Sequence, residues 1–376
     1  MNKKVDRRLD ICPTAINLMK IIINIILDRR LIMKTHFQYN EPETFFSEYQ
    51  GLISHIVILG AGASRATCPN GDKNRRILPL MKDFVDVVEI SKILAEEGII
   101  LTPEEAKNFE LAFEKKIYPN ERIRQKVEEQ TRNYFLSLEL PDEPTIYDYL
   151  ILSLRDKDVI ATFNWDPLLI QAYNRNQHLG LSLPNLIFLH GNVLIGFCKK
   201  CSITTPYNSN RPICPRCKKE LIRSPLLFPI SQKNYESHPM IKGGWETLRR
   251  KIRNAYLLTI FGYSAPDTDL SAKEILKNAV HGMHPNARSF SEIEIIDILS
   301  EEKLYEKWKD IIFNWHFHVT SSYFSSWINK HPRRSLEASV AQHIEIQFID
   351  NSPKPPKFQT IEEMQNWFKK FKKYEK

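Results

Sequence analysis

The sequence has no apolar run of membrane-spanning length. A helix needs about 20 largely apolar residues to cross a bilayer, and the longest candidate, AINLMKIIINIIL (Ala15 to Leu27), is interrupted by Lys20. That excludes an integral helical membrane protein. No small-residue cleavage site follows this segment, which runs instead into DRRLIM. A secretory leader is therefore not expected, and the chain is expected in the cytoplasm. A second methionine, Met33, opens a more ordinary beginning, MKTHFQYNEPETFFSEY. Translation is expected to start there, with residues 1–32 an artefact or a loosely attached helix. No internal repeat is visible, so a repeat architecture is excluded as well.

What is present is ordinary in bulk. The chain has 376 residues, 42% apolar and 26% charged, enough for one large domain or two to three modest ones with a substantial core. The net charge of +8 is unevenly spread. Residues 1–32 carry seven Lys/Arg against three Asp, residues 196–223 seven against one Glu, and residues 354–376 seven against three Glu. The remainder is net acidic. A basic periphery suits nucleic acid or an acidic partner, or is simply a solvated surface.

Cysteine is scarce but patterned. Of Cys12, Cys68, Cys198, Cys201, Cys214 and Cys217, the last four form two C-x-x-C knuckles separated by twelve residues. Each knuckle lets two sulfurs face one point, and the pair can supply four thiolates to one tetrahedral zinc. Lys199, Lys200, Arg216, Lys218 and Lys219 favour thiolate and offset the charge of such a site. Two disulfides or a redox dithiol are the alternatives. Disulfides seldom persist in a reducing cytosol, and a redox C-x-x-C normally stands once, at a helix start. Four protein thiolates close the coordination sphere, so the zinc is expected to be structural.

Short apolar runs rich in β-branched residues alternate with helical patterns. HIVILG (His55 to Gly60), KDVIATFNW (Lys157 to Trp165), NLIFLHGN (Asn185 to Asn192), NAYLLTIFGYS (Asn254 to Ser264) and SEIEIIDIL (Ser291 to Leu299) read as strands. Helices are expected at DPLLIQAYNRN with Pro167 in the first turn, at APDTDLSAKEILKNAV with Asp267 or Thr268 as cap, and at SEEKLYEKWKDII. Met81 to Leu140 reads as a helical module, with Thr102-Pro103-Glu104-Glu105 as one helix start. NSPKPPKF reads as a linker to a final amphipathic helix, Ile361 to Tyr374, bearing Ile361, Met364, Phe368 and Phe371 at helical spacing. Continuous apolar strands alternating with helices predict an α/β protein, a Rossmann-like parallel sheet with helices on both faces.

In an open parallel sheet, ligands bind beyond the carboxyl ends of the strands. The residues expected there are Gly60, Gly62 and Ser64; Thr162, Asn164 and Asp166; His190 and Gly191; Gly262, Tyr263, Ser264 and Asp267; and Asp297. Glycines before a helix start permit close approach of a phosphate. The dinucleotide fingerprint requires a third Gly where this chain has Arg65, although Arg65 could itself pair with a pyrophosphate. Taken singly, each feature has a plain structural explanation: glycines in a turn, Asp166 as a helix cap, His190 as a core histidine. Their gathering at one rim points to a site.

The ordered set GAGAS, TFNWD, HGN, two C-x-x-C knuckles and GYSAPDTD resembles the sirtuin superfamily over roughly Ser54 to Leu299. It is most similar to the sirtuin-like proteins of bacterial defence against phage. The resemblance implies a NAD-binding domain at about 51–300, carrying a helical insertion at about 81–140 and a zinc ribbon at about 196–223. It would be flanked by an N-terminal extension, 1–50, and a C-terminal one, 301–376. It implies cleavage of the nicotinamide–ribose bond. By similarity, Asn164 would hold the ribose hydroxyls or the attacking water, and His190 would act as general base. Asp166 would orient the nicotinamide side or support its loop. Gly60, Ala61, Gly62 and Ser64, with Arg65, would hold the pyrophosphate. Gly262 and Ser264 would line the adenosine side, and Thr162 and Asp297 would complete the cofactor site.

The departures are as informative. Deacylating sirtuins carry G-I-P-D-F-R after the first turn, where this chain reads ILPLMKDF (Ile77 to Phe84). Their F-G-E loop, which clasps the acyl-lysine peptide, is replaced by LLFPISQKNYE (Leu226 to Glu236), and the Gln of T-Q-N-I-D by Phe163. The NAD half persists and the peptide half is altered. The expectation is a NAD hydrolase, with a NAD-dependent protein-lysine deacylase as the alternative that the retained zinc ribbon favours. A defence hydrolase implies homo-oligomerisation or pairing with an ATPase or phage-sensing protein, for which the basic termini and final helix are candidate surfaces. Two further alternatives are a NAD or ADP-ribose sensor without turnover, against which the retention of both Asn164 and His190 argues, and nucleic-acid binding by the ribbon. With only Phe197 and Tyr207 in the ribbon, base stacking looks poor.

Overall fold

The computed structural model describes residues 54–208, 210–230, 235–253, 255–264, 269–281, 292–311, 317–335, 338 and 354–374. The segment with Met33 and Cys12, and the cap candidates Asp267 and Thr268, lie outside them. All five expected strands form: β1 (Ser54–Leu59), β2 (Val159–Thr162), β3 (Asn185–Phe188), and, after the ribbon strands β4 (Ile195–Cys198), β5 (Ile203–Pro206) and β6 (Ile222–Arg223), β7 (Ala255–Phe261) and β8 (Glu292–Ile296). A further strand, β9 (Phe317–Thr320), completes the main sheet. Its order is β3-β2-β1-β7-β8-β9 with every pairing parallel. Counted within the sheet, that is the 3-2-1-4-5-6 order of a dinucleotide fold, in which the order of strand addition switches sides between β1 and β7.

Strand residues alternate between two cores, as the two-residue period of a strand requires. Val57 and Leu59 of β1 face one core, and Ile56 and Ile58 face the other. The first core is covered by α1 (Ala61–Thr67), by the helical insertion ending in α2 (Glu121–Leu136), by α3 (Ile146–Ser153) and by α4 (Leu168–Asn176). The second is covered by α5 (Pro239–Ile252), α6 (Leu270–His281) and α7 (Glu301–Trp308). The final helix, α8 (Ile361–Lys369), returns to the first core, burying Met364 and Phe368, with Phe371 just beyond it. Gln365 Nε2 donates to the α4 carbonyl of Arg175 and to Asn176 Oδ1 at 3.1 and 3.0 Å. The apolar face of this helix is therefore satisfied within the chain rather than offered to a partner.

The insertion is helical as expected, and Thr102 and Glu105 close a reciprocal capping box at 3.2 and 2.9 Å. It packs through aromatic rings. Phe84 stacks on Phe109 at 4.1 Å, and Phe113 on Phe228 at 4.8 Å. The Trp165 ring lies 4.7 Å from that of Phe228. Trp165 sits between Asn164 and Asp166 in the chain, so this cluster walls the loop that carries them. Among the described residues no helix is long and apolar enough to cross a membrane.

Candidate functional site

The strand ends meet at the switch point by direct backbone contact. Gly60 N–H donates to Phe261 O at 3.0 Å and Gly62 N–H to Gly262 O at 2.9 Å. A Cβ on Gly60 would lie 2.5 Å from Gly262 O. One on Gly262, whose φ is +60°, would lie 2.2 Å from Ala63 N. These glycines are thus required by the crossing of the β1 and β7 turns. Ala63 N–H is also engaged, by Gly60 O at 3.0 Å, so two first-turn amides of α1 are bound to protein carbonyls. Ala61 begins the helix and Ser264 is exposed.

Asn164, buried just after β2, is clamped by its amide nitrogen. Nδ2 donates to Gly60 O at 2.9 Å and to Ser64 Oγ at 2.9 Å, and lies 3.2 Å from Tyr147 OH. A carbonyl partner can only accept, so Gly60 O fixes which end of the amide is nitrogen. Among the described residues, Asn164 Oδ1 has no protein partner. The backbone N–H of Asn164 is held by Thr162 Oγ1 at 3.0 Å.

Ser64 donates to Asp166 Oδ2 at 2.6 Å. A hydroxyl has one proton, so Tyr147 OH, 2.7 Å away, donates to Ser64 Oγ. Asp166 Oδ1 also accepts from Leu168 N–H, the first residue of α4, at 3.1 Å, while Pro167, expected in the first turn, is the N-cap. Burial pushes the Asp166 carboxyl up from its ordinary range, and the bonds from Ser64 and the Leu168 amide draw it back down. Asn192, from the HGN turn, donates to the backbone oxygens of Asp166 and Asn164 at 2.6 and 3.5 Å. Arg65 is held elsewhere, by the Leu78 carbonyl and by Asp83 Oδ2 at 3.3 Å. Asp297 follows β8, where its Oδ1 accepts from Leu299 N–H at 3.0 Å.

His190 follows β3. The Gly191 beside it has φ +84°, and a Cβ there would overlap Pro225 O, which explains the His-Gly pair sterically. His190 Nε2 lies 2.9 Å from Tyr235 OH and 3.8 Å from Asp269 Oδ2. Phe163, in place of the family's Gln, sets its ring edge-on to His190 at 4.6 Å and stacks on Tyr263 at 4.1 Å. Tyr147, Tyr235, Asp269 and Asn192 belong to the site, and none was singled out from sequence. Asn192 alone left a signal, as the third residue of HGN.

The four ribbon cysteines come together, their Sγ atoms all within 4.8 Å of one another. Zinc–thiolate bonds of about 2.3 Å in a tetrahedron place sulfurs roughly 3.8 Å apart, so the donor set fits zinc. None of the five described cysteines forms a disulfide. Ser202 and Lys218 adopt the left-handed turns that let each knuckle fold back. Hydrogen bonds from the amides of Cys217 and Arg216 lower the Cys214 thiol to about 6. The surrounding Lys199, Lys200, Arg211, Arg216, Lys218 and Lys219 are exposed. Phe197 is buried and Tyr207 half-buried, with the Arg223 guanidinium 5.7 Å from the Tyr207 ring, so neither ring is an open stacking platform.

No family model matches the chain, and no curated protein matches its sequence. Among solved structures it is similar to a Sir2 homologue in complex with NAD. The identity is 13% over 83% of this chain and 97% of that one, with a TM-score of 0.36. A structure bearing on the mechanism and regulation of Sir2 enzymes is 16% identical over 83% and 100% of the two chains, also at 0.36. Sir2 bound to an acetylated peptide is 16% identical over 81% and 98%, at 0.32. Likeness at this level assigns no activity and no residue role.

Proposed function

We propose that this chain is a sirtuin-like NAD+ glycohydrolase, cleaving the nicotinamide–ribose bond to give nicotinamide and ADP-ribose. The observation that carries the reading is Asn164. At the switch point of a 3-2-1-4-5-6 sheet, where a dinucleotide binds, its amide nitrogen is clamped by Gly60 O and its carbonyl oxygen is left to accept from water or a ribose hydroxyl. Scission of this bond passes through an oxocarbenium-like state. The site has to orient the ribose, admit one water and accept a proton. Asn164 orients, and His190 on the adjacent strand's loop accepts. Asp166, through Ser64, fixes the Asn164 clamp, while Trp165 and the insertion's aromatic wall exclude bulk water.

Hydrolysis is favoured over deacylation by Tyr235. It comes from the segment that replaces the peptide-clasping loop, and its ring lies nearly parallel to that of His190 at 5.6 Å. On this reading the protein is a cytoplasmic, oligomeric NAD-depleting effector of anti-phage defence, held silent by a partner until infection.

The test is NAD consumption by the purified full chain beside Asn164→Ala and His190→Ala, with and without an acetyl-lysine peptide. NAD loss without peptide, abolished in both variants, is the expected result. Turnover that requires the peptide makes it a deacylase, and NAD loss that survives Asn164→Ala removes the assignment of the site.

A further inference from the structure

Three oxygens surround the Asn164 amide nitrogen, and two of them are hydroxyls. Gly60 O lies 2.9 Å from Nδ2, Ser64 Oγ 2.9 Å and Tyr147 OH 3.2 Å. A hydroxyl can donate as well as accept, so its part in such a ring is decided by where its own proton goes. The Ser64 proton goes to Asp166 Oδ2 at 2.6 Å. The Tyr147 proton goes to Ser64 Oγ at 2.7 Å. Burial pushes the Tyr147 phenol well above its ordinary range, so that proton stays on it. The chain of donors therefore starts at Tyr147, passes through Ser64 and ends on a carboxylate. Both hydroxyl oxygens are left as acceptors toward Asn164. One Nδ2 hydrogen serves Gly60 O, and the other is shared between Ser64 Oγ and the phenol oxygen. A flipped amide would set Oδ1 against three acceptors.

The phenol is held where this requires it. Tyr147 is fully buried in the first turn of α3. The next residue, Asp148, accepts from Thr145 N–H and Oγ1 at 2.8 and 2.6 Å, from Asn176 Nδ2 at 2.8 Å and from the Arg175 guanidinium. That turn is thereby fixed to α4, the helix that follows Asp166. We propose that Tyr147 is a positioning residue: with its proton committed to Ser64, it closes the ring of acceptors around the Asn164 amide nitrogen and holds Oδ1 toward the reacting ribose. This rests on the reading of Asn164 as the residue that orients the ribose or the attacking water. Tyr147 acts on the barrier through the direction of one carbonyl dipole, without touching NAD. Its removal is therefore felt in kcat rather than in KM. At this depth no bulk water replaces a lost hydroxyl, so Ser64 Oγ is left one donor short.

The test is the side-chain amide spectrum of the full chain carrying 15N-labelled asparagine, with Asn164 assigned by the loss of its signals in Asn164→Ala. In Tyr147→Phe, which keeps the ring packing, the Nδ2 proton facing Ser64 and the phenol is expected to shift. It exchanges with solvent at least about 10-fold faster, while the proton on Gly60 O keeps its position. The kcat for NAD falls about 10-fold with KM little changed. Asp166→Asn keeps the Tyr147 hydroxyl and stands in should Tyr147→Phe fail to fold. Its new amide donates to Ser64, the chain loses its carboxylate end, and the same Asn164 signal moves. An Asn164 spectrum indifferent to both substitutions overturns the proposal, as does a moved signal with kcat unchanged. The spectrum is read without turnover. A chain that consumes no NAD therefore counts against the hydrolase reading, while the hold on the amide is still decided.

Discussion

Individual residues in this site are constrained by what they touch, and the glycines show it most directly. Gly262 combines φ +60° with backbone 2.2 Å from any added Cβ, whereas Gly243, inside α5, has nothing within 4 Å. Gly262→Ala should therefore cost about 3 kcal/mol, combining left-handed strain with overpacking. Gly243→Ala should stabilise by about 0.5–1 kcal/mol through helix propensity. Urea unfolding of the two variants checks both signs, and equal effects would show that the β1–β7 crossing is looser than described. Asn164→Asp is a sharper probe of the clamp. It replaces the donor facing Gly60 O by an acceptor and adds a carboxylate near the buried Asp166. The expected outcome is loss of turnover by at least about 100-fold and destabilisation by a few kcal/mol. An active Asn164→Asp enzyme would mean that the amide orientation is irrelevant. The clamp's residues were only partly legible in sequence. Asn164, Asp166 and Ser64 announced themselves as polar residues at strand ends. Tyr147 lies 83 residues from Ser64, in a helix whose residues from Tyr147 to Ser153 are all buried. Such a helix has no polar face and so no amphipathic signature.

Elements were legible where their burial is symmetric or strictly one-sided. The five strands with continuous apolar cores were read correctly because a sheet covered on both faces requires such runs. β9 escaped because its four residues are all half-buried at the sheet edge. Several strand residues deep in the sheet nonetheless break the apolar rule, and two of them, Glu294 and His55, make a prediction about pH. Burial pushes the Glu294 carboxyl in β8 up from 4.5 to about 7, against a bond from Trp327 N–H at 2.9 Å. Burial pushes the His55 imidazole in β1 down from 6.5 to about 4, against the nearby Asp158 carboxylate, with its Nε2 2.8 Å from Thr259 Oγ1. The raised Glu294 value contributes stability that is present below pH 4.5 and lost as pH rises to 7. The lowered His55 value contributes stability that is present above pH 6.5 and lost as pH falls to 4. Each is worth about 3 kcal/mol at its limit. The two slopes oppose one another across the shared window, so the wild type should vary little there. Glu294→Gln should leave only the His55 slope. Its stability then rises between pH 4 and 6.5 and exceeds that of the wild type at pH 8. Parallel stability curves for the two proteins would show that Glu294 does not titrate in this range.

At the scale of the molecule, the zinc ribbon connects parts of the site rather than hanging from it. In the chain it lies between His190 and Tyr235. In space its base is tied to both sides of the candidate site's rim. Ser224 N–H donates to Ile195 O at 3.0 Å, and Ser224 Oγ accepts from Asn192 N–H at 3.1 Å. Asn192 then holds the Asp166 backbone, and α2 of the insertion reaches the same point through Arg132 to Ser224 O at 2.9 Å. The ribbon's own core is three buried residues, Cys198, Cys214 and Leu221, with a few half-buried neighbours. So small a cluster does not hold a fold without metal. Four thiolates leave no open coordination position, so the metal supplies stability and no chemistry. Zinc removal should therefore lower Tm and NAD turnover together, because the Ser224–Asn192 link loosens. The parallel sheet, whose two cores take only Ile195 and Phe197 from the ribbon strand β4, should keep its circular dichroism. One zinc per chain by elemental analysis, a lower Tm with chelator, and recovery of both properties on adding zinc back are the expected results. Cys214→Ser should reproduce the chelated state. A metal-free chain with unchanged Tm and turnover would detach the ribbon from the site. Loss of turnover at an unchanged Tm would give the metal a role in the reaction that its closed donor set does not allow.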